Sequence, residues 1–460
     1  MKKFLAVSAM LGFLTLPTQA ATIAVTSTAD SGAGSLRDAI ATASSGDSIN
    51  VAVTGTIILT GTLTIDKSLT ITGSGASALA VSGNNAAQVF VVNGGATVTI
   101  SGLTIENGAV TGGVGGGGIS NLGMLTVNDS AITGNTTDMF GGGIKNFGTL
   151  TLTNSTVSGN SASCCFGGGI YNGGTLTLIN STVSGNSVQM FYGGGIYNTS
   201  MLSLTNDTFS SNTAGCCHGG GIGNIGTLTV KNTILANSLA SGNCYMGSGG
   251  VIESQGHNLS DDASCAAWFI STDQSGVPVG LDPAGLKDNG GRTQTIALLP
   301  TSPAVDAVPT SPTDYCTVTT ALATDQRGVA RPSGSACDIG AFELVQTMTV
   351  SIDIKPGDGP ATINSKSKGK IPVAILSSPT FDAVKQIDQT SLTFGRTGSE
   401  KSLAFCSGPQ DVNGDGLLDL VCYFDTSLTR FQGGDSKGVL GGKILGGSSI
   451  LGTNAVVIVH

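Results

Sequence analysis

The sequence predicts an all-β protein: a right-handed parallel β-helix with a short N-terminal capping helix, followed by a small C-terminal β-sandwich-like domain. Three observations predict it. The segment GGGIYNGGTLTLINSTVSGN (167–186) recurs at a spacing of 25 or 26 residues, so the Ile of each GGGI unit falls at Ile119, Ile144, Ile170, Ile196 and Ile222. A constant period of this size marks a repeat architecture. Each copy alternates leucine with threonine, as at Leu150 and Leu152 or Leu176 and Leu178, which is the pattern of a strand with one buried face. Composition completes the case: charged residues are 11%, glycine is 70 of 460, and hydrophobic residues are still 40% and regularly placed. A disordered chain has no reason to keep such placement.

The first element is outside the fold. Residues 1–20 read as a signal peptide, with Lys2 and Lys3 before the apolar FLAVSAMLGFLTL and a cut expected after Ala20. No later run reaches the ~18 apolar residues of a transmembrane helix. Residues 21–48 form the N-terminal cap. Within GSLRDAIATA, Ser35 and Asp38 have capping-box spacing, and Leu36, Ala39, Ile40 and Ala43 share a helical face. Arg37 reads as a lid residue that binds a carboxylate or carbonyls.

The β-helix is expected over 49–345. Three short strands per coil, LTLTN, TVSGN and GGGIYN, alternate with three bends. One coil cannot bury its apolar side, whereas coils stacked at about 4.8 Å bury a continuous column. Three asparagine series mark the bends: Asn121, Asn146, Asn172, Asn198, Asn224; then Asn128, Asn154, Asn180, Asn206, Asn232; then Asn135, Asn160, Asn186, Asn212, Asn237. Asparagine tolerates left-handed backbone and can bond to its copies above and below. A leucine-rich solenoid is the alternative, but only two leucines recur per copy.

These residues also carry a resemblance. GSLRDAI (34–40) resembles the opening motif of bacterial secreted β-helix proteins, in which a cysteine often stands where this chain has Gly34. DNGGRTQTIALLPTSPAVDA (288–307) and DQRGVARPSGSACDIGAFE (325–343) closely resemble the closing segment of the choice-of-anchor Q group of secreted parallel β-helix proteins. The resemblance spans roughly 22–345 and implies an extracellular or surface β-helix with a variable C-terminal appendage. Fold does not convey chemistry, so catalysis has to be sought in the residues.

Sugar-cleaving sites need carboxylate pairs about 5–9.5 Å apart. The acids of the regular repeats are Glu106, Asp129, Asp138 and Asp207. Asp129 and Asp207 read as one repeat position three coils apart, roughly 14 Å at the coil spacing. Lys145 and Lys231 are isolated. Cys216, Cys217 and His218 are too close in sequence for a tetrahedral zinc site. His257 reads as structural, which leaves Asp261 and Asp262 as the residual place for a weak site. No catalytic residue is assigned. Outward threonine and asparagine columns offer a flat face for extracellular polysaccharide or a surface protein, and aligned Tyr171, Tyr197 and Trp268 would favour glycan binding. The formal charge of −9 argues against nucleic acid.

Ten cysteines in an exported chain suggest disulfides. Cys244 with Cys265, Cys316 with Cys337 and Cys406 with Cys422 are local pairs. For Cys164–Cys165 and Cys216–Cys217, bridges between loops and vicinal bridges both stay open.

The repeats stop after Glu343, and 350–460 reads as a β-rich module with strands at IDIKP, KIPVAIL, SLTFG, LLDLVCYFD and NAVVIVH. In DVNGDGLLD, the residues Asp411, Asn413, Asp415, Leu417 (through its carbonyl) and Asp419 have the spacing of a structural Ca²⁺ loop, with Gly416 at its turn. Cys422 stands where an EF-hand has glutamate, so the loop resembles calcium loops between strands of bacterial surface modules; Asp382 and Asp425 are candidates to complete the shell. The expected function is that of an exported, noncatalytic β-helical surface or extracellular protein, adhesive or structural. The alternatives are a polysaccharide lyase or a glycan-binding protein.

Overall fold

A computed structural model describes residues 20–459 except 114, 216–218, 240–241, 311–315, 317–321, 358 and 446–447. The expected signal peptide, apart from Ala20, and the Cys216–Cys217–His218 cluster lie outside the described residues. The chain forms a right-handed parallel β-solenoid followed by a separate C-terminal β-sheet region.

The coils of the solenoid build three long sheets, and the regular repeats add a fourth short strand beyond the three expected, in a five-stranded sheet from Ala109–Val110 to Thr213–Ala214. The leucine–threonine sheet has ten strands, from Thr22–Val25 to Val251–Ser254. The second, the TVS sheet, runs from Gly55–Ile58 to Gln274–Ser275, and the third carries the GGGI strands from Leu63–Ile65 to Cys244–Met246. Equivalent residues pair: Leu150 faces Leu176, and Ile170 faces Ile144 and Ile196. Their side chains fill one dry column with Val157 and Val183. The stack begins at Thr22–Val25, which pairs with Ser48–Val51, so the segment read as a cap also contributes the first strand.

Two asparagine columns bond along the solenoid axis. The Nδ2 of Asn121, Asn146, Asn172 and Asn198 each donates to the Oδ1 of the next copy at 2.7–2.8 Å. Asn135, Asn160 and Asn186 do the same at 2.9–3.0 Å. The third column makes left-handed corners at Asn154, Asn180, Asn206 and Asn232, with φ of 49–56°.

Two members of the asparagine series sit one place out. Asn128 pairs with Thr153, and the corner residue of that coil is Asp129 at φ 48°. Aspartate accepts the left-handed region almost as readily as asparagine. Asp129 and Asp207 therefore do not share a position: Asp207 follows the corner, where its neighbours are Ser130, Ser155 and Ser181. At the third bend, Asn237 falls opposite Ser211, and both have positive φ.

Asp207 is fully buried and accepts from the Ser181 and Thr205 amides at 2.8 and 2.9 Å. Burial pushes its carboxyl well above the ordinary aspartate range, more than those bonds lower it. A raised folded-state pKa means that the native state holds the proton more tightly. Its share of stability is present below the ordinary range and is lost as pH rises through the folded-state value. Asp207→Ser, which restores the repeat residue, should flatten this part of the profile and raise the neutral-pH melting temperature. Melting curves of parent and variant across pH 4–8 check this; parallel profiles would contradict it.

Both ends of the column are closed. Helix Leu36–Thr42 is capped by Ser35, whose Oγ accepts from the Asp38 amide at 3.2 Å, and buries Leu36, Ala39 and Ile40. Arg37 pairs with Asp30 at 2.7 Å and donates to the Gly61 and Thr62 carbonyls, as expected of a lid residue. At the other end a short 3₁₀ helix, Ala263–Trp268, is stapled by Cys244–Cys265, and Trp268 packs against the column.

The C-terminal region forms two sheets around one core. One contains Thr347–Thr349, Ile387–Gly395, Lys437–Ile444 and Ser449–Val459, with Ala361–Asn364 alongside; the other contains Ile352–Ile354, Lys370–Ile375, Leu403–Cys406 and Leu420–Asp425. Val373, Phe394, Phe424 and Leu440 meet between them. The five expected strands are present, although Leu417–Asp419 belongs to the preceding loop rather than to its strand.

Candidate functional site

The acidic loop hangs between Leu403–Cys406 and Leu420–Asp425, two antiparallel strands tied at their root by the Cys406–Cys422 disulfide. Gly414 and Gly416 take φ of 75° and 87°, which lets the backbone curl around the side chains. Asp411 accepts from the Gly414 and Gly416 amides at 2.8 and 3.0 Å. Asn413 Oδ1 accepts from the Asp415 amide, and Asp415 accepts from the Leu417 amide and from Asn413 Nδ2. Asp411, Asn413 and Asp415 are exposed. Asp419 is buried and bridges the loop to the module, accepting from Val412 at 2.9 Å and Ser377 at 2.8 Å.

The available donors are all oxygen, the chemistry of a hard cation. Among the described residues, no three His, Cys, Asp or Glu side chains gather as a metal-holding group. Of the two candidates to complete a shell, Asp382 caps helix Ala383–Gln386 and pairs with Lys385, while Asp425 pairs with Lys370.

Asp138, Asp207, Asp261 and Asp262 are engaged with the backbone or with turns, and Asp129 with a single cation. Asp129 lies 3.5 Å from Arg292, Asp138 accepts from the Gly112 and Gly113 amides, and Asp207 is buried as described. Asp261 bonds Asn237 and Asn243, and Asp262 caps the 3₁₀ helix. His257 takes a left-handed corner at φ 55°, in line with Asn232, and burial holds its imidazole below the usual range. These residues shape the coils.

The hydroxyl columns fare differently on the two faces. On the TVS sheet, Thr156, Thr182 and Thr208 point outward yet are buried, because Gln294, Gln326 and Ala341, from the segments that follow the solenoid, lie across them. Gln326 bonds both Thr156 and Thr182, and Thr293 donates to the Asn154 carbonyl. That part of the expected open face is therefore covered. The clamp is held by a buried pair, Arg331 and Glu343 at 2.8 Å, and by Asp325 with Arg327 at 2.7 Å. No local period signals these roles: Gln326 meets Thr182 across 144 positions, and the ion pairs form only once the segment has folded back.

Beside the GGGI sheet, aromatic rings stack along the axis. Phe140, Phe166, Tyr192 and Tyr245 are nearly parallel, with successive centroids 6.0, 6.2 and 4.6 Å apart, and Tyr171 and Tyr197 lie 6.1 Å apart. Trp268 is not in this ladder; it packs at the solenoid end. The ladder rings cover one another, while Phe147 and Phe191 are 48% and 37% exposed. Cys164 and Cys165 bridge each other, and the three local pairs form as expected.

No family model and no curated protein matches the chain. Among solved structures, the crystal structure of pectate lyase Pel9A is similar at 15% identity with a TM-score of 0.42, covering 70% of this chain and 96% of that one. Among the described residues, no helix is long and apolar enough to cross a membrane.

Proposed function

We propose that this chain is an exported surface or extracellular protein of the choice-of-anchor Q kind, in which the solenoid is a noncatalytic scaffold for adhesion or structure. The observation that carries the reading is the use made of the acids. Asp138, Asp207, Asp261 and Asp262 are spent on backbone amides and turns, and Asp129 and Asp207 stand three coils apart. A lyase needs several such groups on one substrate. The test is incubation of the purified mature chain with pectins, alginates and glycosaminoglycans, following unsaturated-product absorbance. Intact polymers are expected; turnover that survives further purification would overturn the reading in favour of a polysaccharide lyase.

The module is proposed to hold one structural Ca²⁺ through Asp411, Asn413, Asp415, the Leu417 carbonyl and Asp419. Exposed Asp411 and Asp415 supply charge, and buried Asp419 ties the loop to the strand beneath it. The ion would tie the loop to the module rather than act on a substrate. The module then serves as attachment or spacer for the solenoid.

A further inference from the structure

The folded-back segment stops short of covering the whole TVS sheet. The stretch leading into it, Asp288–Gln294, overhangs the coils of Thr104, Ala131 and Thr156 and borders a cleft of about 310 Å³. That volume is at the lower end of ligand sites, enough for part of a chain molecule crossing the sheet.

The hydrogen-bond account of the cleft is incomplete in an ordered way. Thr104 Oγ1 donates to the Ala76 carbonyl at 2.7 Å, which leaves its lone pairs free to accept. Ser158 Oγ donates to Thr133 Oγ1 at 3.2 Å, so the Thr133 proton and the Ser158 lone pairs remain for a ligand. On the lip, exposed Asp288 uses one oxygen on the Gly290 amide, which leaves its second oxygen as an acceptor. Arg292 is 72% exposed and makes only a 3.5 Å contact with Asp129, so most of its donors are unspent. Donors and acceptors thus share a cleft over a floor whose coils repeat at about 4.8 Å. Ala76 and Ala131 add apolar surface to the lining.

We infer that this cleft binds a neutral oligosaccharide. Vicinal hydroxyls both give and accept hydrogen bonds, which suits a lip holding a guanidinium beside a carboxylate and a floor of hydroxyls. An anionic sugar fits poorly. Arg292 is answered by Asp129, Asp288 adds a second negative charge to the lining, and Glu106 stands in register with Thr133 on the next coil. The inference rests on the noncatalytic reading only in taking the bound sugar to leave unchanged.

The experiment is isothermal titration of the full mature chain with cellohexaose, xylohexaose and hexagalacturonate. At least one neutral hexasaccharide should bind saturably and with little salt dependence. Arg292→Ala and Thr133→Val should each weaken it about tenfold or more, a loss of about 1.4 kcal/mol. Thr151→Val, on the leucine–threonine sheet, should leave affinity unchanged, and all three variants should melt with the parent. Binding of hexagalacturonate alone, absence of neutral-sugar binding, or affinity indifferent to Arg292→Ala and Thr133→Val would overturn the inference. Chromatography of the recovered sugar separates the two readings: cleavage with variant-sensitive binding would sink the noncatalytic reading and leave the cleft assignment standing.

Discussion

Ile170→Asp should collapse the coils on either side of it. Ile170 is fully buried, with Ile144 below and Ile196 above in the same column. A carboxylate there has no cation within the stack, and an uncompensated buried charge costs on the order of 4 kcal/mol. In a solenoid each coil is stabilised by its neighbours, so the damage spreads along the axis. Ile170→Val removes one methyl and should cost only about 1 kcal/mol. Circular dichroism melts separate the cases. An unchanged melt for Ile170→Asp would refute the continuous column.

Arg331→Ala should release the folded-back segment. The Arg331 guanidinium is buried, donating to Glu343 at 2.8 Å and to the Asp338 and Gly340 carbonyls at 2.9 and 2.6 Å. Glu343 also accepts from the Ser333 and Asp338 amides, so two short loops hang on this one pair. Removing one partner strands a buried carboxylate, at a cost of about 3–5 kcal/mol. Replacing both with apolar residues, Arg331→Met with Glu343→Leu, should cost far less, because no charge is then stranded. Hydrogen exchange should show early opening across 325–343 in Arg331→Ala, with the first coils still protected. Protection unchanged at Gln326 and Ala341 would contradict the clamp.

What was legible in the sequence is what stacking forces to repeat. A residue buried in one coil meets its copy in the next, so Ile170 and Leu176 recur, and the asparagines that bond copy to copy recur with them. The two misplaced asparagines show where the pattern loses precision. Asn128 adjoins Asp129, and either residue type can occupy a left-handed corner, so spelling alone did not choose between them. The covered threonine face was illegible for another reason. Thr182 meets Gln326 across 144 positions, and no local period records that meeting. The disulfides Cys244–Cys265 and Cys406–Cys422 were readable because each closes a short stretch between neighbouring elements. In the acidic loop, spacing identified the oxygen donors, but the second role of Asp419, as the buried link to Ser377, depended on tertiary packing.

The attachment reading depends on a division between a stack held by its apolar column and a module held by an ion. A calorimetric melt of the full mature chain in EDTA and in calcium tests that division directly. The transition of the module should rise with calcium; binding to the folded state alone is worth about 2.7 kcal/mol at 100 times Kd. The solenoid transition should stay in place. Asp411→Ala and Asp415→Ala should each abolish most of the gain, while Leu417→Ala, which keeps its carbonyl, should retain it. A module transition indifferent to calcium would show the loop to be an acidic turn, and a solenoid transition that moved with calcium would contradict the division.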